Sequence, residues 1–178
     1  MAGIKWLVIN YNLPTKPSKY RVAIWRSLKK LGAVNIQQSM WVLPKNEFNY
    51  KALQKILTTI ENNNGQVLLT ESSFFHDKHE ERVVSLFNKI RDEEYKEYIN
   101  ESKKYLKEIL PKLSAESLDS IRFARKAELE KFISRHTKLV EKDIFHSSLA
   151  GKAQEMLKQI KAVLREMGEP VYDNSNQI

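Results

Sequence analysis

The chain has no cysteine. That excludes disulfides, thiolate metal sites, iron–sulfur ligation and thiol redox chemistry. It also lacks long apolar runs: none approaches the roughly 20 residues needed to cross a bilayer, and the mean hydropathy is −0.52. The first apolar stretch, Ile4 to Leu13, is interrupted by Lys5, Asn10 and Asn12, which is not the pattern of a signal peptide. No membrane contact is expected, and the cytoplasm is the expected compartment. Catalytic signatures are missing as well. There is no Gly-rich phosphate loop, no Gly-x-Ser-x-Gly elbow and no acid–base pair in an activating context. Neither an enzyme nor a cofactor is expected.

Acidic residues are scarce in one region only. Residues 1–75 hold ten Lys and Arg against three Glu and no Asp, a net +7, although the whole chain carries only +8. A lopsided balance of this kind is the electrostatic footprint of contact with an anion, often nucleic acid; the alternative is a charge that serves solubility. The 178 residues, 42% of them hydrophobic, suffice for one sizeable core or two small ones.

The fold class read from the pattern is α+β: a ferredoxin-like β-α-β-β-α-β module over residues 1–75, then an antiparallel three-helix bundle over 76–168, then a flexible tail over 169–178. The first strand ends before Pro14. Both of its faces are largely apolar, which suits a central strand covered on both sides or shared with a partner. Ser18 is the expected N-cap and Gly32 the expected C′ residue of the first helix. Residues 34–37 are expected to pair with 40–43 across a turn at Gln38-Ser39. A second helix runs from Glu47 or Asn49 to Asn62, with Phe48, Leu53, Ile56, Leu57 and Ile60 on its apolar side, and Gln66 to Thr70 forms the fourth strand.

From His76 the apolar spacing becomes helical. Tyr95, Tyr98, Ser102, Tyr105 and Ile109 line a helix from about Asp77 to Leu110. Leu118, Ile121, Arg125, Leu129, Phe132, His136 and Leu139 line the next, which starts at Ser114 or Ser117. Leu149, Ala153, Met156, Ile160, Val163 and Met167 line the last, after a turn at Phe145 to Ser148.

Two sets of cations stand out. Lys19, Arg26 and Lys30 fall in one narrow stripe of the first helix, because seven and eleven residues are nearly whole turns; Lys29 flanks them. Such a stripe suits phosphate tracking, and a solvated helix face is the alternative. Arg21 is expected on the side of Leu28, partly buried and stacked on Trp25 at i,i+4. There it would hold a tetrahedral oxyanion with the first-turn N–H groups, or pair with a carboxylate of Arg91-Asp92-Glu93-Glu94. Arg122 and Arg125 either join such an anion surface or pair with acids of the helical part. His76 and His79 stand at i,i+3 without a further His or Cys, and Glu93, Glu94, Glu97 and Glu101 without a Glu-x-x-His pair. Neither set is expected to bind metal.

Three blocks, Trp6 to Pro14, Pro17 to Ala33 and Gln38 to Pro44, resemble the N-terminal region of the chromate-resistance protein family ChrB. Arg91 to Tyr95 and Lys142 to Phe145 are similar to later parts of the same family, in the same order. The resemblance implies a cytoplasmic, chromate-responsive transcriptional regulator whose full-length members carry a further C-terminal domain outside these 178 residues. The first module also resembles that of the phenylacetate-pathway repressor PaaX and of small CRISPR-adaptation nucleases. Those nucleases use an acidic residue near the end of the first strand, where this chain reads Asn10-Tyr11-Asn12, so a metal-dependent nuclease or hydrolase is disfavoured. The combined expectation is a non-enzymatic regulator, in homodimeric form, that contacts DNA through Lys19, Arg26, Lys29 and Lys30. Chromate or another oxyanion would be held by Arg21, Arg122 and Arg125. The alternative is a small-oxyanion binder that never touches DNA.

Overall fold

Prolines and a glycine set the limits of the first elements, since a proline has no N–H for a ladder or helix interior and glycine tolerates positive φ. Strand β1 (Trp6–Asn12) stops short of Pro14, and helix α1 (Lys19–Leu31) follows Pro17. Gly32 ends α1 at φ 87°, its N–H donating to the carbonyls of Leu28 and Lys29. Ser18 holds the N-cap position without a side-chain capping bond. Strands β2 (Val34–Gln37) and β3 (Met40–Pro44) meet across Gln38-Ser39, with Gln38 at φ 40° and Gln37 opposite Met40. The Asn35 amide donates to the carbonyls of Gln38 (2.6 Å) and Met40 (3.1 Å), tying the turn where no Asn-Gly pair is present.

Helix α2 (Glu47–Glu61) is capped by Asn46, whose side-chain oxygen accepts the Asn49 N–H at 2.7 Å. Strand β4 (Gln66–Ser72) completes a four-stranded antiparallel sheet of order β2-β3-β1-β4. The computed structural model describes residues 4–112 and 119–167, with side chains over 4–111 and 123–167. The expected helix start at Ser114 or Ser117, Leu118 and the tail 169–178 lie outside the described residues, as does the side chain of Ile121. Beyond the sheet come α3 (Asp77–Ile109), a 3₁₀ turn (Leu110–Lys112), α4 (Asp119–Lys142) and α5 (Ala150–Glu166), so the protein is α+β with five α-helices among the described residues. None of these is long and apolar enough to cross a membrane.

Packing divides the chain into two units, Met1–Phe87 and Asn88–Ile178. The first unit therefore keeps the opening turns of α3. The cause lies in Trp6 on β1: its ring meets Phe74 and Phe87 at centroid distances of 5.9 and 5.8 Å, and its indole N–H donates to Glu80 at 2.7 Å. β1 is a central strand, with Trp6, Leu7 and Ile9 buried from both faces.

One expected core residue is misplaced. Phe48 is 72% exposed, while Asn49 beside it is buried and donates its amide to the Pro44 carbonyl at 2.8 Å. Asn49 falls on the wheel with Leu53, Ile56 and Ile60, eleven residues being nearly three turns, whereas Phe48 falls well off that stripe. A buried backbone carbonyl at the end of β3 needed a donor, and that requirement outranks an apolar side chain at this position.

In the second unit the apolar stripes fall largely where the spacing puts them, except that Leu106 is buried on α3 in place of the expected Tyr105, and Tyr105 and Arg125 are only partly buried. Tyr95, Tyr98, Ser102, Leu106 and Ile109 of α3 are buried, as are Leu129, Phe132, His136 and Leu139 of α4 and Ala153, Met156, Ile160 and Val163 of α5. The bend before α5 is tied by the Asp92 carboxylate, which accepts from the Ser147 and Ser148 hydroxyls, and by Asp143, which accepts the Ser147 N–H at 2.9 Å and the Tyr95 hydroxyl at 3.2 Å. Burial, reinforced by the Asp143 charge, holds the Tyr95 phenol far above the usual tyrosine range.

Candidate nucleic-acid interface

Helix α1 contains five cations, Lys19, Arg21, Arg26, Lys29 and Lys30, and no acid. Its inner side is anchored by Ile24 and Leu28, both buried. With that side fixed, Lys19, Arg26 and Lys30 lie roughly opposite it, and all three are exposed, as is Lys29. No carboxylate pairs with any of the five among the described residues. The unit's two recorded ion pairs, Lys45–Glu71 (2.5 Å) and Lys51–Glu47 (3.0 Å), use cations elsewhere. Lys29 and Lys30 in the last turn also complement the negative end of the helix dipole, a modest local contribution that leaves their charge facing solvent.

Arg21 departs from its expected place. It is exposed rather than partly buried, and Trp25 carries the Lys29 ammonium over its ring at 4.3 Å. Both differences follow from one geometric rule. A helical side chain leans towards the N-terminus and covers the turn before its own Cα. Lys29 therefore lies back over Trp25, whereas Arg21, in the first turn, leans off the start of the helix. The field of Arg21 still reaches the sheet: burial raises the Tyr11 phenol's pKa, and a bond with the Trp41 side chain and the Arg21 charge oppose it.

Sequence reading missed the aromatic component of this face. Trp25 is 44% exposed, and Val22 next to it on the wheel is exposed too. Lys19 places its ammonium 5.0 Å from the Tyr20 ring centroid. The signal was present in the spacing, since Val22, Trp25 and Lys29 recur at three- and four-residue steps on one flank of the cationic stripe. Beside the helix start lies a cavity of about 340 Å³ lined by Leu13, Pro14, Lys16, Pro17, Tyr20 and residues 62–64.

The other candidate residues belong to the second unit. Arg125 is half-buried on α4, and its backbone carbonyl accepts from the Tyr105 hydroxyl at 3.5 Å. The side chain of Arg122 lies outside the described residues. The acidic row of α3 is largely engaged within its own unit. Glu94 meets Arg91 (3.3 Å) and Lys142 (3.5 Å), and Glu97 meets Arg135 (3.3 Å), which also pairs with Glu101. The His76 and His79 rings rest edge to face, 5.6 Å between centroids.

The sequence was compared with known proteins. Protein ChrB of Cupriavidus metallidurans is 26% identical over 172 residues, an alignment that covers 93% of this chain and 49% of that protein. The chain thus spans about half the length of the curated relative it matches. The family model described as Protein ChrB, N-terminal, matches residues 21–178. A match over most of the chain, beginning within α1 and running through the second unit, places this protein in the ChrB N-terminal family.

Proposed function

We propose that this chain is a non-enzymatic regulatory module of chromate resistance that binds nucleic acid through α1. The observation that carries the reading is the row Lys19, Arg26, Lys29 and Lys30, exposed on a helix without a single acid. Several cations of the second unit meet acids, Arg91 and Lys142 with Glu94 and Arg135 with Glu97 and Glu101. Among the described residues the cations of α1 meet no carboxylate, although Lys19 and Lys29 lie against the Tyr20 and Trp25 rings, and a polyanion supplies the missing negative charge. The first unit, with element order β-α-β-β-α-β and a central β1, is read as a ferredoxin-like module, followed by a bundle of α3, α4 and α5. The reading includes a cytoplasmic location, a homodimeric form and an oxyanion effector such as chromate held near Arg21. Support for the last comes from Arg21 itself, exposed beside a first turn whose N–H groups receive no side-chain cap from Ser18.

The test is a titration of the full chain with DNA from upstream of its own coding region, at low and moderate salt, with and without chromate. Four phosphate contacts give a slope of log affinity on log salt of about −3 to −4 on duplex DNA. Chromate should shift the midpoint if the effector reading holds. A shallow slope with tight chromate binding would favour the small-oxyanion binder instead, because one arginine in a pocket releases few counterions.

A further inference from the structure

The chain has three tryptophans, and they are not equivalent. Trp6 and Trp41 are 0% and 4% exposed, whereas Trp25 is 44% exposed on one flank of the cationic stripe of α1. Tyr20 lies five residues nearer the helix start on the other flank of that stripe, and each of the two rings has a lysine ammonium beside it, at 5.0 Å for Lys19 and 4.3 Å for Lys29. Exposed Val22 sits between them in sequence. The cationic stripe is therefore edged by aromatic and aliphatic surface, and a purely solubilising face has no use for the apolar part.

A paired duplex offers this face its phosphates, but the flat surfaces of its bases are stacked on one another and closed to side chains. Unpaired bases offer those surfaces. A positive track interleaved with aromatic rings is the physical arrangement that holds a single strand, with bases stacking on the rings while the backbone follows the cations. The spacing suits it. From Trp25, an ammonium is at hand on Lys29 and a guanidinium on Arg26, so a base on the ring keeps its flanking phosphates beside positive charge. The recess next to Tyr20, with Lys16, Asn62 and Asn64 among its lining residues, gives the strand a concave seat at the helix start.

Resting on the nucleic-acid reading above, we propose that α1 recognises single-stranded DNA, with Trp25 stacking on an unpaired base and Lys19, Arg26, Lys29 and Lys30 holding the adjoining phosphates. The experiment compares the full chain's binding to an oligothymidylate and to a duplex of equal length, followed by intrinsic tryptophan fluorescence and by anisotropy of labelled DNA. Trp25 is the exposed indole of the three, so stacking quenches the emission that it contributes. Trp25→Ala should weaken oligothymidylate binding roughly tenfold and leave duplex binding unchanged. Trp25→Phe should keep most of the affinity and lose the quench. Both substitutions lie on the solvent side of α1, and an unchanged circular dichroism spectrum verifies the fold. Equal binding of duplex and single strand, without quenching and without an effect of Trp25→Ala, overturns this inference while leaving a phosphate-tracking helix. Failure of both DNAs to bind overturns the nucleic-acid reading itself.

Discussion

Helix α1 of the first unit and the helices of the second use positive charge differently. In the second unit several cations meet acids: Arg91 and Lys142 with Glu94, Arg135 with Glu97 and Glu101, Lys131 with Glu128, Lys158 with Glu155. In the first, α1 collects five cations and no acid, and residues 1–75 hold nearly all of the chain's net charge. Both helical surfaces are rich in lysine and arginine, so composition alone does not separate them. Local pairing does. Self-compensated charge serves solubility and packing, whereas uncompensated charge on a rigid helix repels itself and is neutralised only from outside.

The sharpest way to break the comparison is to damage one unit and ask whether the other's property follows. Leu129 is fully buried in the core of the second unit. Leu129→Ala should cost about 2–5 kcal/mol of stability, through lost transfer energy plus the cavity left behind. Urea titration measures it. Per folded molecule, DNA affinity should stay at the wild-type value, and a parallel loss would mean that the second unit takes part in binding. The complementary change is Lys19→Glu with Lys30→Glu. It should lower DNA affinity on the order of a hundredfold at low salt and flatten the salt slope by about two units, with the urea midpoint barely moved because both side chains are exposed. Unchanged affinity in that double variant would remove α1 from the interface.

Much of this contrast was legible in the sequence. Proline and glycine positions bounded β1, α1 and β3, and the tyrosine-rich stripe of α3 identified its buried side because three- and four-residue steps survive in any sequence that buries one helix face. Two features were illegible for reasons of geometry. Arg21 and Trp25 at i,i+4 look like a stacking pair until the N-terminal lean of helical side chains is considered, which gives Trp25 to Lys29. Phe48 looks like core until the Pro44 carbonyl is seen to need a donor, which gives the buried position to Asn49. In both cases the spacing was right and the direction or the hydrogen-bond requirement decided. The exposure of Trp25 was legible on the wheel, yet an indole beside a predicted core reads as core by default.

A subtler difference concerns pH. His136 of α4 is buried against the Tyr98 ring of α3, with centroids 5.6 Å apart, and its Nε2 has no hydrogen-bond partner. Burial lowers its pKa, and Lys161 of α5 adds to the depression, while burial pushes the neighbouring Tyr98 phenol up to about 12. Neutral imidazole is thus the folded form. Below the unfolded value of about 6.5, the unfolded chain takes up the proton more readily than the native one, so stability present above that pH is lost as pH falls towards the depressed native pKa. Thermal midpoints from pH 7.5 to 5 should fall more steeply for the wild type than for His136→Leu. Parallel curves would show that the imidazole titrates alike in both states. The cations of α1 do not titrate in this range, so DNA affinity measured at temperatures well below unfolding should change little over the same window.

The smallest expected effect separates the two kinds of cation most cleanly. Arg135 reaches Glu97 and Glu101 from α4 and remains about one-third exposed. Ion pairs this wet gain little, because solvent screens the attraction and ordering the side chains costs entropy; Arg135→Ala should therefore cost only about 0.2–1 kcal/mol. By net charge it equals Arg26→Ala on α1, since each variant removes one cation. If DNA responded to the total charge of the molecule, the two variants would weaken binding alike. If it responds to uncompensated charge on α1, Arg26→Ala lowers affinity and reduces the salt slope by about one unit, while Arg135→Ala leaves both unchanged. Indeed, removal of Arg135 frees two carboxylates in the second unit, so any long-range influence it exerts should fade as salt shortens the Debye length, whereas the difference in slope produced by Arg26 persists.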